Sequence, residues 1–282
     1  MGEKIRKIKN ILFYVFTIFS AVFGLFFLFW ILFTIVIKGI TNFNFQVFFK
    51  DAPPPGSEDL GGLRYAIVGH FIIVGLAILI GIPIGVLAGT YLAEYGKDSK
   101  ITNIIRTLSD ILTSVPSIIV GLFIYAILVK PFGSFSAIAG AVALAILMIP
   151  IIVRVTDDML SMVPKELREA AYALGAPKWI VITKVTYRAA LAGILTGIAL
   201  AVARIAGETA PLIFTSFNNN YFSLDLTKPM ASLTMTIYQF AGSPFKNWQA
   251  LAWVGAFILT IFVLALNLLG KYIAHKKAHK MR

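Results

Sequence analysis

A chain of 282 residues in which 59% are hydrophobic and 13% are charged cannot be a soluble domain, because apolar runs long enough to cross a bilayer recur along its length. The net charge of +12 arises from 25 Lys and Arg against 13 Asp and Glu, and its distribution makes it a matter of membrane topology, with no need for a nucleic-acid partner. No cysteine is present, which excludes a disulfide framework and a thiolate metal site.

In chain order, a basic start (Lys4, Arg6, Lys7, Lys9) precedes an uncharged run from Ile11 to Ile37. That run exceeds the ~7–15 residues of a signal-peptide core and lacks a small-residue cleavage site, so it reads as a retained span with its N-terminus in the cytoplasm. Further spans are expected at Tyr65 to Leu92, Ile104 to Val129, Phe135 to Val153, Ala189 to Phe217 and Trp248 to Ile273. The expected architecture is therefore an all-α polytopic membrane protein of six transmembrane helices. Between the first two spans, residues 51–62 hold three consecutive prolines and end on Gly61-Gly62, which reads as an external loop without regular structure.

Span two carries Gly81, Gly85 and Gly89 at spacing four, and span five carries Ala189, Gly193, Gly197 and Ala201. Such stripes read first as packing faces, since small residues let helices approach closely in lipid. His70, alone near the start of span two, is assigned no role. In span three, Pro116 predicts a kink whose freed carbonyl Thr113, Ser114 and Ser117 can satisfy. Asp110, one turn after Arg106, predicts an ion pair at the membrane interface.

The stretch from Thr156 to Tyr187 is polar and contains a short helix with clear punctuation. Pro164 suits its start, Gly175 its C-terminal cap, and Pro177 blocks continuation, so Lys165 to Leu174 should form about two and a half turns. Leu167, Ala170, Ala171 and Leu174 fall on one side, with Lys165, Glu166, Arg168, Glu169 and Tyr172 around the rest. Immediately after it comes an apolar helix bearing Arg204 and Glu208 one turn apart. Two readings stand for that pair: an intrahelical ion pair that lowers the cost of carrying charge in a membrane, or a site on a substrate path.

The segment from Asn218 to Asn247 reads as a second external stretch with a re-entrant or interfacial piece from Met230 to Ala241. His275 and His279 belong to a Lys-rich tail and are too few for a metal site. With the N-terminus inside, six of the 25 basic residues (Lys38, Lys50, Arg64, Lys130, Lys228, Lys246) fall outside, Arg204 lies within a span, and the other 18 are cytoplasmic. That asymmetry places both termini and the short polar helix in the cytoplasm.

Two patterns carry a resemblance. Glu169-Ala170-Ala171, three residues, then Gly175 resembles the EAA motif of ABC importer membrane subunits, whose cytoplasmic coupling helix docks on an ATPase. The run Ala203-Arg204-Ile205-Ala206-Gly207-Glu208-Thr209-Ala210-Pro211-Leu212, with Phe217-Asn218-Asn219 after it, is similar to the phosphate-specific membrane subunits of that class. Gly61, Gly62, Ala66, Ile67 and Gly69 match the same family, as does the run from Leu112 to Ser117.

The resemblance implies a type I ABC importer permease fold, with coupling through Glu169, Ala170, Ala171 and Gly175 (helix about 164–175) and a substrate path at Arg204 and Glu208. It divides the chain into 1–64 (first span and Pro/Gly loop), 65–274 (the ABC importer transmembrane domain) and 275–282 (basic tail). It implies a homologous permease subunit, two ATPase subunits carrying ATP and Mg, an extracytoplasmic phosphate-binding protein, and a cell-membrane location. No cofactor and no metal are expected on this chain.

No GxxxxGK[ST] occurs, since Gly96-Lys97 and Gly270-Lys271 lack both the upstream Gly and the following Ser or Thr. No HExxH or nucleophile elbow occurs either, so the chain is expected to be non-catalytic and to draw energy from another subunit. Alternatives are a permease for another oxyanion, a gradient-driven secondary transporter using Arg204 and Glu208 as a relay, or an intramembrane enzyme. The relay lacks inverted repeats, and the enzyme lacks a catalytic constellation within its spans.

Overall fold

The computed structural model describes residues 2–57, 59–96 and 99–279, and among these every regular element is a helix. In order they are α1 (Gly2–Asn42), a short 3-10 helix (Phe45–Phe48), α2 (Arg64–Glu94), α3 (Lys100–Ser114), α4 (Ser117–Phe132) and α5 (Ala137–Ser161). There follow α6 (Lys165–Ala173), α7 (Lys178–Ala206), α8 (Ala210–Ile213), α9 (Leu233–Ala241) and α10 (Lys246–His279). Five of these, α1, α2, α5, α7 and α10, are long and apolar enough to cross a membrane, and α3 with α4 forms a bent sixth. Lys97 lies outside the described residues, as do the side chains of His275 and His279.

Small residues set the packing at the centre. Lipid offers no hydrophobic drive between helices, so close backbone approach must supply the contact. Gly85 and Gly89 of α2 lie directly against α5: a Cβ on Gly85 would stand 2.7 Å from the Cβ of Ile152, and one on Gly89 2.6 Å from that of Thr156. The adjoining face of α5 receives the second stripe, with Gly193 against Met159 and Gly197 against Val155. Both stripes are thus packing faces, and α5 is the helix shared by the two contacts. Gly85→Leu is expected to overpack this seam and cost about 1–3 kcal/mol, read as a lowered melting temperature of the purified chain. Leu79→Ala, on the exposed side of α2, should leave it unchanged.

The third span departs from expectation. Pro116 has no N–H to donate, and the residue before a proline is driven out of the helical region. Val115 (φ −68°, ψ 130°) and Pro116 (φ −56°, ψ 130°) are both extended. The two helices consequently meet at 103°, a break where a tolerated kink was expected. The hydroxyls of Thr113 and Ser114 do not serve the freed carbonyl; they donate to the carbonyl of Asp110 at 2.7 and 3.1 Å. The fifth span also departs, because its helix ends at Ala206 instead of running on to Phe217.

The Pro-rich loop between α1 and α2 is tied down. Trp248 Nε1 donates to the carbonyl of Pro53 (3.1 Å), Asn247 to that of Ser57 (3.1 Å), and Arg64 pairs with Asp51 (2.6 Å). Lys50 donates to Asp59 at 2.9 Å, and this bond holds the Asp59 carboxyl below its ordinary range. The piece expected at Met230 to Ala241 is α9, whose Leu233, Met235 and Phe240 are buried against the bundle. By contrast α1 touches the rest only near its C-terminal end, where Gly39 meets Phe257 and Lys38 lies 4.5 Å from the Trp253 ring.

Candidate functional site

The short polar helix forms as its punctuation dictates. Pro164 precedes α6 in an extended conformation, and Leu174 closes it. Gly175 then adopts φ +79°, its N–H donates to Tyr172 O (2.9 Å), and the N–H of Ala176 reaches back to Ala171 O (3.2 Å). This pair of bonds is a Schellman closure, which needs a left-handed residue at that position and so favours glycine. Glu169, Ala170 and Gly175 are exposed and Ala171 is partly covered. Leu174 is 90% exposed and Leu167 is open as well, so an apolar edge faces away from the bundle. A helix that leaves such an edge uncovered is shaped for a partner.

One residue of this helix points the other way. Arg168, grouped in the sequence with the surface charges, is buried and pairs with Glu94 at the end of α2 (2.8 Å). An advance signal was Glu94, an acidic residue at the C-terminal end of an apolar span.

The ion pair expected between Arg106 and Asp110 is replaced by crossed pairs between α3 and α5. Arg106 makes a two-point contact with Asp157 (2.7 and 3.0 Å), while Asp110 faces Arg154 at 3.2 Å, which also holds Asp158 at 3.1 Å. Bidentate geometry and a nearly buried Asp157 favour the longer-range choice over a one-turn pair on a half-exposed helix. These contacts hold the amphipathic α3 against the C-terminal half of α5.

At its far end α7 stops just after Arg204. Gly207 caps it, and Pro211 in the first turn of α8 cannot donate back, so the chain breaks across Gly207 to Thr209. Glu208 therefore lies in the break, beyond the helix, and not on a continuous apolar helix as expected. Arg204 Nε and Glu208 Oε1 are 3.9 Å apart, beyond the ~2.7–2.9 Å of a charge-assisted hydrogen bond. Arg204 is half-exposed at 49% and Glu208 at 18%, so both keep bonding capacity for something else.

The break is held by its neighbours. Thr234 of α9 donates to the carbonyl of Glu208 at 2.9 Å, a contact between elements that sequence spacing does not reveal. Gly121 of α4 lets α8 approach so closely that a Cβ there would stand 2.7 Å from Pro211 Cα. After α8, Phe217 takes a left-handed φ of 56° and stacks on Phe135 at 5.0 Å. Among the described residues no cluster of three or more metal-ligating side chains occurs.

The structure thus gathers Glu169, Ala170, Ala171 and Gly175 at one end of α7, and Arg204 with Glu208 at the other. From Lys178 to Arg204 a helix spans about 39 Å, more than the ~30 Å hydrocarbon core.

Comparison with known proteins agrees with this arrangement. The family described as "Binding-protein-dependent transport system inner membrane component" matches residues 81–279. A "Phosphate transport system permease protein PstA" of Pasteurella multocida is 51% identical over 273 residues, 97% of each chain. Its counterpart in Haemophilus influenzae is 54% identical over 248 residues, 88% of this chain and 87% of that one. Among solved structures, a bacterial alginate ABC transporter chain aligns with a TM-score of 0.64 at 15% identity over 97% of this chain and 96% of that one. A chain of the MetNI methionine ABC transporter aligns with a TM-score of 0.59 at 21% identity over 77% of this chain and 94% of that one. These last two share the fold, which is that of type I ABC importer permeases. An open helix at one end, a charged break at the other and relatives of this length and identity have one explanation: the chain belongs to the binding-protein-dependent transport system inner membrane components, in the branch of the phosphate transport permeases PstA.

Proposed function

We propose that the chain is the membrane-spanning subunit of an ATP-driven importer that takes up inorganic phosphate delivered by an extracytoplasmic binding protein. The observation that carries this reading is α7 itself, with an uncovered coupling helix just before its one end and an unsaturated Arg204–Glu208 pair at its other. The substrate is taken from the names of the 51–54% identical relatives. Glu169, Ala170, Ala171 and Gly175 present α6 to an ATPase subunit, which brings the ATP and Mg that a chain without a P-loop cannot hold. Two such ATPases, a homologous permease subunit to close the path and a phosphate-binding protein on the outer face complete the complex.

In this reading Arg204 offers a planar, permanently charged fork to oxyanion oxygens, and Glu208 accepts a hydrogen bond from a substrate that still bears a proton. Residues 65–274 form the transport domain, preceded by the α1 region (1–64) and followed by a basic tail (275–282). The test is ATP-driven uptake of labelled phosphate by the reconstituted complex, with arsenate and sulfate as competitors. Arsenate should compete and sulfate should not. Uptake driven by an ion gradient without ATP would overturn the reading.

Both termini and α6 face the cytoplasm in this arrangement. The chain has no native cysteine, so single cysteines report sidedness directly. Ser57→Cys and Asn219→Cys should react with an impermeant thiol reagent in intact cells, and Ser99→Cys and Lys165→Cys should not. Labelling of Ser99→Cys from outside would reverse the orientation.

A further inference from the structure

Arg168 is tied to more than Glu94. Its guanidinium donates from Nη2 to Glu94 Oε1 (2.8 Å) and to the carbonyl of Leu160 (2.7 Å), and from Nη1 to the carbonyl of Val163 (2.5 Å). Glu94 ends α2, Leu160 lies in the last turn of α5, and Val163 follows it. The side chains of Arg168 and Glu94 are 8% and 4% exposed, so the fork is withdrawn from water on all sides. One planar group thereby joins three elements: the coupling helix, the end of α2 and the end of α5. Among the described residues no side-chain hydrogen bond or ion pair joins α6 to α7. The two elements that Arg168 reaches are also the two locked together along the Gly85 and Gly89 seam.

A buried ion pair is weak evidence of net stabilisation, because desolvating both charges offsets much of their attraction. Its geometry says more. A fork that reaches three acceptors fixes orientation as well as distance, which a point charge cannot do. The opposite face of α6 is the one left open.

We infer that Arg168 is a positioning residue for energy coupling: it makes α6 move as one body with α2 and α5, so that displacement of the coupling helix enters the membrane through that pair. This rests on the reading of α6 as the ATPase dock. Arg168 itself touches neither substrate nor partner. With the fork removed, α6 can still dock, but it can tilt on its own loops without carrying α2 and α5.

The test uses the reconstituted complex, with phosphate uptake and ATP hydrolysis measured on one preparation. Arg168→Met alone strands the Glu94 charge and can fail to assemble, so the informative variant is the double replacement Arg168→Met with Glu94→Met, an apolar pair of the kind that buried ion pairs often tolerate. Expected is retained hydrolysis with phosphate moved per ATP reduced about fivefold or more. Arg168→Lys, which keeps the charge but cannot span all three acceptors, should fall between, and Glu94→Gln, which keeps both carbonyl bonds, should lose least. A purely structural role would lower both rates together through the amount of complex and leave their ratio untouched. A second measurement does not depend on the substrate: amide exchange of residues 165–174 in the purified complex should rise in the double variant while that of α9 stays constant. If the wild-type complex hydrolyses ATP but moves no phosphate, the substrate assignment fails and the exchange measurement still decides the anchor. A wild-type ratio of uptake to hydrolysis, or wild-type exchange in α6, would overturn the inference.

Discussion

Replacing Gly175 by valine should separate ATP hydrolysis from transport. Gly175 holds φ +79°, and no atom outside its own chain neighbours lies within 4 Å of where a Cβ would be. The effect of a side chain there is thus conformational and not steric. A left-handed L-residue costs roughly 1–2 kcal/mol, and branching at Cβ makes it worse. The cheaper course is to unwind the Schellman closure, release the carbonyls of Ala171 and Tyr172, and let the last turn of α6 fray. That turn carries Leu174, part of the apolar edge open to a partner. Uptake per ATP should fall by about tenfold, the ratio that 1.4 kcal/mol corresponds to. Gly175→Asn, which tolerates the left-handed region, should lie close to wild type and Gly175→Ala between. The helical bundle should keep its melting temperature throughout, since Gly175 is not part of its packing. Coupled transport at wild-type level in Gly175→Val would remove α6 from the coupling role.

Which features were legible in the sequence follows from the range of the interactions that make them. The bounds of α6, the number and order of the spans and the glycine seams rest on local punctuation, hydropathy and period, whereas the bend of the third span and the ends of the fifth depart from those signals. The misplaced ion pairs are cases in which a distant partner outcompetes a near one. Asp110 stands one turn from Arg106, yet Arg106 takes Asp157, 51 residues away, because that carboxylate offers two-point geometry in a less exposed place. Arg168 was grouped with surface charges because helical spacing cannot tell that Glu94, 74 residues earlier, ends beside it. Pro116 was read as a kink because a local rule gives the lost bond but not the 103° turn, which depends on α3 having α5 to lie against. The break after Ala206 was signalled locally by Gly207 and Pro211, but spacing does not show that Thr234, 26 residues beyond Glu208, holds it.

The largest effect on what is transported is expected from the break itself. Arg204 lies in the last turn of α7, where a cation is favoured by the helix dipole, and Glu208 just past the end. A separation of 3.9 Å gives attraction without consuming the bonding sites of either group. Arg204→Lys keeps the charge but loses the planar fork, so phosphate uptake should fall by about tenfold or more, the worth of one charge-assisted hydrogen bond. Glu208→Gln acts differently. An ionised carboxylate can only accept hydrogen bonds, so it favours an oxyanion that still carries a proton and opposes fully ionised sulfate through unpaired like charge. Glutamine keeps the shape and adds a donor, which removes that opposition. Discrimination of phosphate against sulfate should therefore relax by on the order of tenfold, with expression and melting temperature near wild type because the Thr234 bond is to the main chain and survives. The alternative, a pair that exists only to lower the cost of two charges in lipid, predicts the reverse pattern. Glu208→Gln would then destabilise the protein by stranding Arg204 and leave selectivity unchanged. Competition by sulfate and a melting curve on the same variant separate the two, and unchanged selectivity with lowered stability would reduce Arg204 and Glu208 to an ion pair.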